Sequence, residues 1–146
     1  MISKKAKYAI NALVHLAKKH NQGPILISEI AEQERIPQKF LEAILLELKR
    51  DGIVSSKKGK GGGYYLLRNP EEVNMADVIR LIDGPIALLP CVSYKFYERC
   101  EECKDEVTCG IRDMFLEVRH QTVALLKEAT LEKIIKREQA LCQKPI

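Results

Sequence analysis

The chain has 146 residues, enough for one domain with a modest core and short of what two independent domains need. Hydrophobic residues make up 46% and charged residues 30%, a soluble globular balance, and no apolar run reaches the ~18 residues that would span a bilayer. The net charge of +4 hides an asymmetry, because residues 1–70 hold 13 Lys and Arg against 6 Asp and Glu, while residues 71–146 hold 11 against 14. A basic front half and a mildly acidic rear half suit a protein that touches a polyanion with one end. The basic opening MISKKAKYAINAL lacks the unbroken apolar stretch and small-residue cleavage site of a secretory signal, so the chain reads as cytoplasmic.

Ser3 to about His20 reads as a helix, with Ala6, Ile10, Leu13, Val14 and Ala17 in one stripe. Asn21-Gln22-Gly23-Pro24 stops it, and Ile25–Ile27 follows as an extended link. Ser28 reads as the N-cap of a short second helix, Glu29 to Gln33, with Ile30 facing inward. Glu34-Arg35-Ile36 makes a turn. Pro37 suits the first position of a third helix that runs to Arg50 and buries Phe40, Leu41, Ile44, Leu45 and Leu48.

Ile53–Ser56 and Tyr64–Leu67 are short and β-prone, and the loop Lys58-Gly59-Lys60-Gly61-Gly62-Gly63 joins them, which predicts a hairpin. Asn74 caps a fourth helix, Met75 to Ile82, ended by Asp83-Gly84-Pro85. Residues 86–110 read as irregular and hold four of the five cysteines. A long helix follows from Ile111 to about Ala129, with Met114, Phe115, Val118, Val123, Leu125 and Leu126 among its apolar positions. Thr130 caps a last helix through Leu141.

Two short helices joined by a tight turn and followed by a hairpin predict a mainly α fold, a winged helix-turn-helix with a small β-hairpin wing. A helix fits the major groove of B-DNA, and side chains near its N-terminus reach base edges. In the third helix those are Gln38, Lys39 and Glu42, beside the small Ala43. Gln pairs with adenine, Lys with guanine, and Glu accepts from cytosine. Lys57, Lys58 and Lys60 are placed for phosphates at the wing tip, where Gly61 and Gly62 let backbone N–H groups come close. Lys4, Lys5 and Lys7 in the first helix, and Ser28 at the start of the second, complete the candidate DNA contacts. The phosphate-loop pattern G-x-x-x-x-G-K-S/T is absent, and a strand–loop–helix order is missing too. His15, His20 and His120 fall in no nucleophile or metalloprotease pattern, so the chain reads as a binding protein and not an enzyme.

The cysteines run Cys91-x8-Cys100-x2-Cys103-x5-Cys109, with Cys142 alone near the C-terminus. Four thiols so close together are unusual as core filler in a reducing compartment, and thiolate is a soft ligand that suits iron–sulfur clusters or zinc. Three uses fit the residues: an iron–sulfur cluster, a thiol or disulfide switch, and structural zinc or no cofactor. A zinc ribbon has two Cys-x-x-Cys knuckles, and only Cys100–Cys103 is present.

The order of these features resembles the Rrf-two family of bacterial winged-helix transcription regulators, the group of IscR, NsrR and CymR. The resemblance rests on Ser3–Leu13 (SKKAKYAINAL), Ile27–Glu42 (ISEIAEQERIPQKFLE), Leu48–Tyr64 (LKRDGIVSSKKGKGGGY) and the cysteine segment ahead of a long helix. It implies a homodimer built on that long C-terminal dimerisation helix, and binding of a palindromic double-stranded operator, often for repression. The chain then divides into a DNA-binding unit (1–84), a cysteine-rich sensor loop (85–110) and a dimerisation helix with its tail (111–146). The resemblance also implies that Cys91, Cys103 and Cys109 hold an iron–sulfur cluster. Here the first gap is longer than in the family, Cys100 is extra, and Arg112 stands where some members place a histidine. Other members use an acidic residue near the position of Tyr8. Cys100 is the expected fourth ligand.

Overall fold

A computed structural model describes residues 1–145. Six helices and one hairpin follow in chain order: α1 (Lys4–Lys18), α2 (Ile27–Glu34), α3 (Gln38–Arg50), β1 (Val54–Lys57), β2 (Gly63–Leu66), α4 (Met75–Asp83), α5 (Gly110–Glu128) and α6 (Leu131–Cys142). A one-turn 3-10 helix, Pro90–Val92, interrupts the link from α4 to α5. This is the expected winged helix-turn-helix, extended by a long helix and a returning one. Among the described residues no helix is long and apolar enough to cross a membrane.

Helix α1 is the central element. Its predicted stripe is buried at Ala6, Leu13, Val14 and Ala17, but Ala9, Ala12, His15 and Leu16 are buried as well. The cause is that α2, α3, α4, α6 and β2 all pack on it. Its small alanines let neighbouring backbones come close. Ser3 caps it, its hydroxyl accepting from the Ala6 N–H. Leu131 of α6 is fully buried in the same core as Leu13, Ile44 and Val78, so the chain's last helix closes over the first.

Two helix starts differ from expectation. Helix α2 begins at Ile27, and Leu26, not Ser28, is its cap, with no side-chain hydrogen bond. Tertiary pairing wins over capping chemistry here: Ile25 exchanges two 2.8 Å backbone hydrogen bonds with Tyr64. That bridge fixes the chain in an extended state up to Leu26, whose carbonyl then accepts from Ile30 N–H. Pro37 precedes α3 as its cap, with helical φ (−56°) but extended ψ (126°). Phe40 is not buried. It is 37% exposed and stacks edge-on against Tyr8, with ring centroids 5.6 Å apart.

The turn between α2 and α3 uses Arg35 in the left-handed region, at φ 54° and ψ 45°. The Ile36 N–H closes it on the Ala31 carbonyl at 2.9 Å. The hairpin pairs Val54 with Leu66, Ser55 with Tyr65, Ser56 with Tyr64 and Lys57 with Gly63. Asn74 and Thr130 cap α4 and α6 as expected, each accepting a backbone N–H three residues on.

Candidate nucleic-acid interface and cysteine loop

The N-terminal half of α3 offers a free face. Leu41, Ile44, Leu45 and Leu48 hold the helix on the core, which leaves Gln38, Lys39, Glu42 and Ala43 exposed together. Leu46, three and four residues beyond Ala43 and Glu42, is 47% exposed on the same side. An apolar side chain there suits the methyl group of a thymine. The helical spacing of Leu46 from Glu42 is the sequence signal that marks it.

The wing projects beside this helix and is bolted to it. Lys49 Nζ of α3 donates to Ser56 Oγ of β1 at 2.7 Å, and Arg68 donates to the Asp51 carbonyl at 2.8 Å. At the tip, Gly59 and Gly61 have φ of +89° and +75°. Lys57, Lys58, Lys60 and Gly61 are exposed. Gly62 is buried in the turn, where a Cβ would meet the Lys57 carbonyl oxygen at 2.2 Å. Its part is therefore to close the loop.

The remaining lysines divide. Lys5 is tied to Glu47 of α3, so it braces α1 against α3. Lys4 lies 5.9 Å from the centroid of the Tyr8 ring. Lys7, Lys39, Lys57, Lys58 and Lys60 form no ion pair among the described residues. Ser28 is exposed in the first turn of α2. These five lysines stand on α3, the wing and the start of α1, where free cations suit a phosphate backbone.

The cysteines sit at the foot of α5. Cys91 is buried in the 3-10 turn, Cys100 is exposed, and Cys103 and Cys109 are half-buried. Cys109 caps α5, its Sγ accepting from the Arg112 N–H at 3.4 Å. Arg112 Nε in turn donates to the Cys91 carbonyl at 3.3 Å, so one residue ties the first and last cysteines. No pattern in the sequence marked Arg112 for this. The Cys103 thiol is pushed up in pKa by burial, then by Cys109 and by Cys100. The Cys100 thiol is pushed up chiefly by its hydrogen bond to Glu102, at 3.1 Å. Among the described residues, no three His, Cys, Asp or Glu side chains converge as a closed metal site.

A model of the Rrf2 family, described as an iron-dependent transcriptional regulator, matches residues 2–137. This chain belongs to the Rrf2 family. An rrf2-like HTH-type regulator of Rhodobacter capsulatus is 43% identical over 138 residues, 92% of each chain. Among solved structures, CymR, the global cysteine regulator of B. subtilis, superposes with a TM-score of 0.78 at 28% identity, covering 94% of this chain and 97% of that one. IscR of T. potens gives a TM-score of 0.76 at 25% identity, covering 100% and 93%. The Rrf2 chain described here is accordingly a DNA-binding transcription regulator and not an enzyme, as its residues led us to expect.

Proposed function

We infer that this Rrf2 regulator acts as a homodimer packed along α5, represses from a palindromic operator, and changes its grip on DNA with an iron–sulfur cluster carried by the cysteine loop. The observation that carries the reading is the gathering of thiols around the N-terminus of α5. The Cys103 N–H donates to the Cys100 carbonyl at 3.2 Å, Cys109 caps α5, and Arg112 ties Cys91 to the same helix end. The soft donor set fits a cluster, and the family's iron dependence supports one. A helix N-terminus also favours the negative charge that thiolates bring. Cys91, Cys103 and Cys109 are the proposed ligands and Cys100 the fourth. Closing the site requires the exposed Cys100 to give up its hydrogen bond to Glu102. Bound there, a cluster would supply four soft metal–sulfur bonds and a redox-sensitive charge.

The dimer reading rests on Ile111, Met114, Val118 and Leu125. They recur at helical spacing on α5 and are 66%, 68%, 41% and 69% exposed. An apolar stripe of that spacing is the seam of a two-helix contact. A loop rearranged at the foot of α5 would then alter the angle between two recognition helices, whose half-sites must lie about one DNA turn, ~34 Å, or a multiple apart.

CymR's description as a cysteine regulator favours a second reading, a thiol switch without cluster. Zinc held by the same thiols, and a cluster-free regulator that answers to a protein partner, are the remaining alternatives. Operator affinity measured on cluster-loaded and stripped protein tests the principal reading. A difference of about 5- to 150-fold is expected, and equal affinities would overturn it.

A further inference from the structure

A cleft of about 650 Å³ opens between the end of α3, α4, the loop after the 3-10 turn, and α5. Arg119 of α5 lines it and is only 9% exposed, with Nε shut from solvent and no acceptor in reach. A buried guanidinium without a carboxylate is uncommon, because its donors need partners that replace water. One face of the group is covered by the Tyr94 ring, whose centroid lies 4.1 Å away. The edge is left unpaired.

Charge in the cleft is unbalanced. Its two carboxylates are already engaged, Asp77 with Arg80 at 3.8 Å and Asp51 with Arg68 at 3.9 Å. Arg119 and Lys95 form no ion pair among the described residues. Beside them Tyr94 and Phe96 are 78% and 65% exposed, large apolar surfaces at the mouth.

We propose that this cleft binds a small organic monocarboxylate with an apolar or aromatic body, its carboxylate on the terminal nitrogens of the Arg119 guanidinium and its body against Tyr94 and Phe96. The guanidinium fork matches a carboxylate, and aromatic walls fit a flat apolar group. No cysteine lines the cleft, but Ser93, Tyr94, Lys95 and Phe96 belong to the loop between Cys91 and Cys100. At roughly 100° per residue, Arg119 lies within about 40° of Val123 and Leu126 and about 80–140° from the stripe of Ile111, Met114, Val118 and Leu125. Asp51, just past the end of α3, and Arg119 of α5 both line the cleft, so a bound molecule would lie between the DNA-reading part and the long helix. The regulator thus has a second, small-molecule input.

Calorimetric titration of the full-length protein with benzoate, 4-hydroxybenzoate, phenylpyruvate and butyrate tests the site, with benzyl alcohol and sulfate as controls. At least one carboxylate should bind saturably, while neither control does. Arg119→Gln should weaken it about tenfold or more. Tyr94→Ala, at an exposed position that leaves the core intact, should also weaken it with the circular dichroism spectrum unchanged. The proposal is overturned if no carboxylate saturates, if sulfate binds equally well, or if Tyr94→Ala leaves the affinity unchanged. The operator does not enter this test.

Discussion

The carbonyl oxygen of Ile25 occupies the space that a Cβ on Gly63 would need, 2.3 Å away. Gly63 also has φ of +144°, a conformation L side chains rarely adopt. The wing and the link before α2 are therefore locked by an approach that only glycine allows, sealed by the two Ile25–Tyr64 hydrogen bonds. Gly63→Ala should cost about 1–3 kcal/mol of stability in urea unfolding. Gly61→Ala, where φ is also positive but nothing lies within 4 Å, should cost less. Equal costs would show that the close approach does not matter.

The wing lysines are placed to meet phosphate. Lys58→Ala and Lys60→Ala should weaken binding to all DNA sequences alike and reduce the salt slope by about 0.9 each. A loss confined to one base position would contradict that role. Lys5→Ala should behave differently, lowering stability through the lost contact with Glu47 while changing the salt slope less than Lys7→Ala does.

Glu42 stands on the exposed face of α3 with no ion pair among the described residues. Glu42→Ala should relax base preference at one operator position by about 1–3 kcal/mol, read by competition among single-base operator variants. Leu46→Ala should act on a thymine position in the same assay. Uniform weakening across sequences would remove both from base reading.

Lys19 joins α1 to α2 through Glu29 at 2.6 Å, and this hydrogen bond holds the Glu29 carboxyl below the usual carboxylate range. A depressed folded pKa adds stability that is present above the unfolded value of about 4.3 and is lost as pH falls through the folded one. Glu29→Gln should remove a small part of the stability at neutral pH and flatten the acid limb of the stability profile. An unchanged acid limb would mean that the pair contributes nothing.

Cys100 carries the question of the fourth ligand. Cys100→Ala should lower cluster content and change its spectrum, while Cys142→Ala should leave both unaltered. An unchanged stoichiometry in Cys100→Ala would assign the fourth position to another group.

Helix α3, the wing and the caps Asn74 and Thr130 were legible because local chemistry and tertiary structure agree there. The start of α2 was not, since Ser28 has the better capping side chain but the Ile25–Tyr64 pairing sets the boundary earlier. The burial of α1 on nearly all sides was hidden because alanines at Ala9 and Ala12 leave no periodic signature. Phe40 looked like core from its spacing, yet Tyr8 meets it at the surface. In the cysteine loop the spacing named the donors. It said nothing of Arg112, whose two hydrogen bonds join residues far apart in sequence. Arg119 was equally silent, because only the folded chain brings Tyr94 over it.

What the four thiols hold decides how this regulator senses its signal. Iron and acid-labile sulfide content, measured with the visible absorption spectrum on protein purified without oxygen, tests it most directly. Iron and sulfide in near-equal amounts, lost together with the colour in Cys91→Ala or Cys109→Ala, is the expected result. Zinc alone, or free thiols with no metal, would contradict it and leave a structural site or a thiol switch.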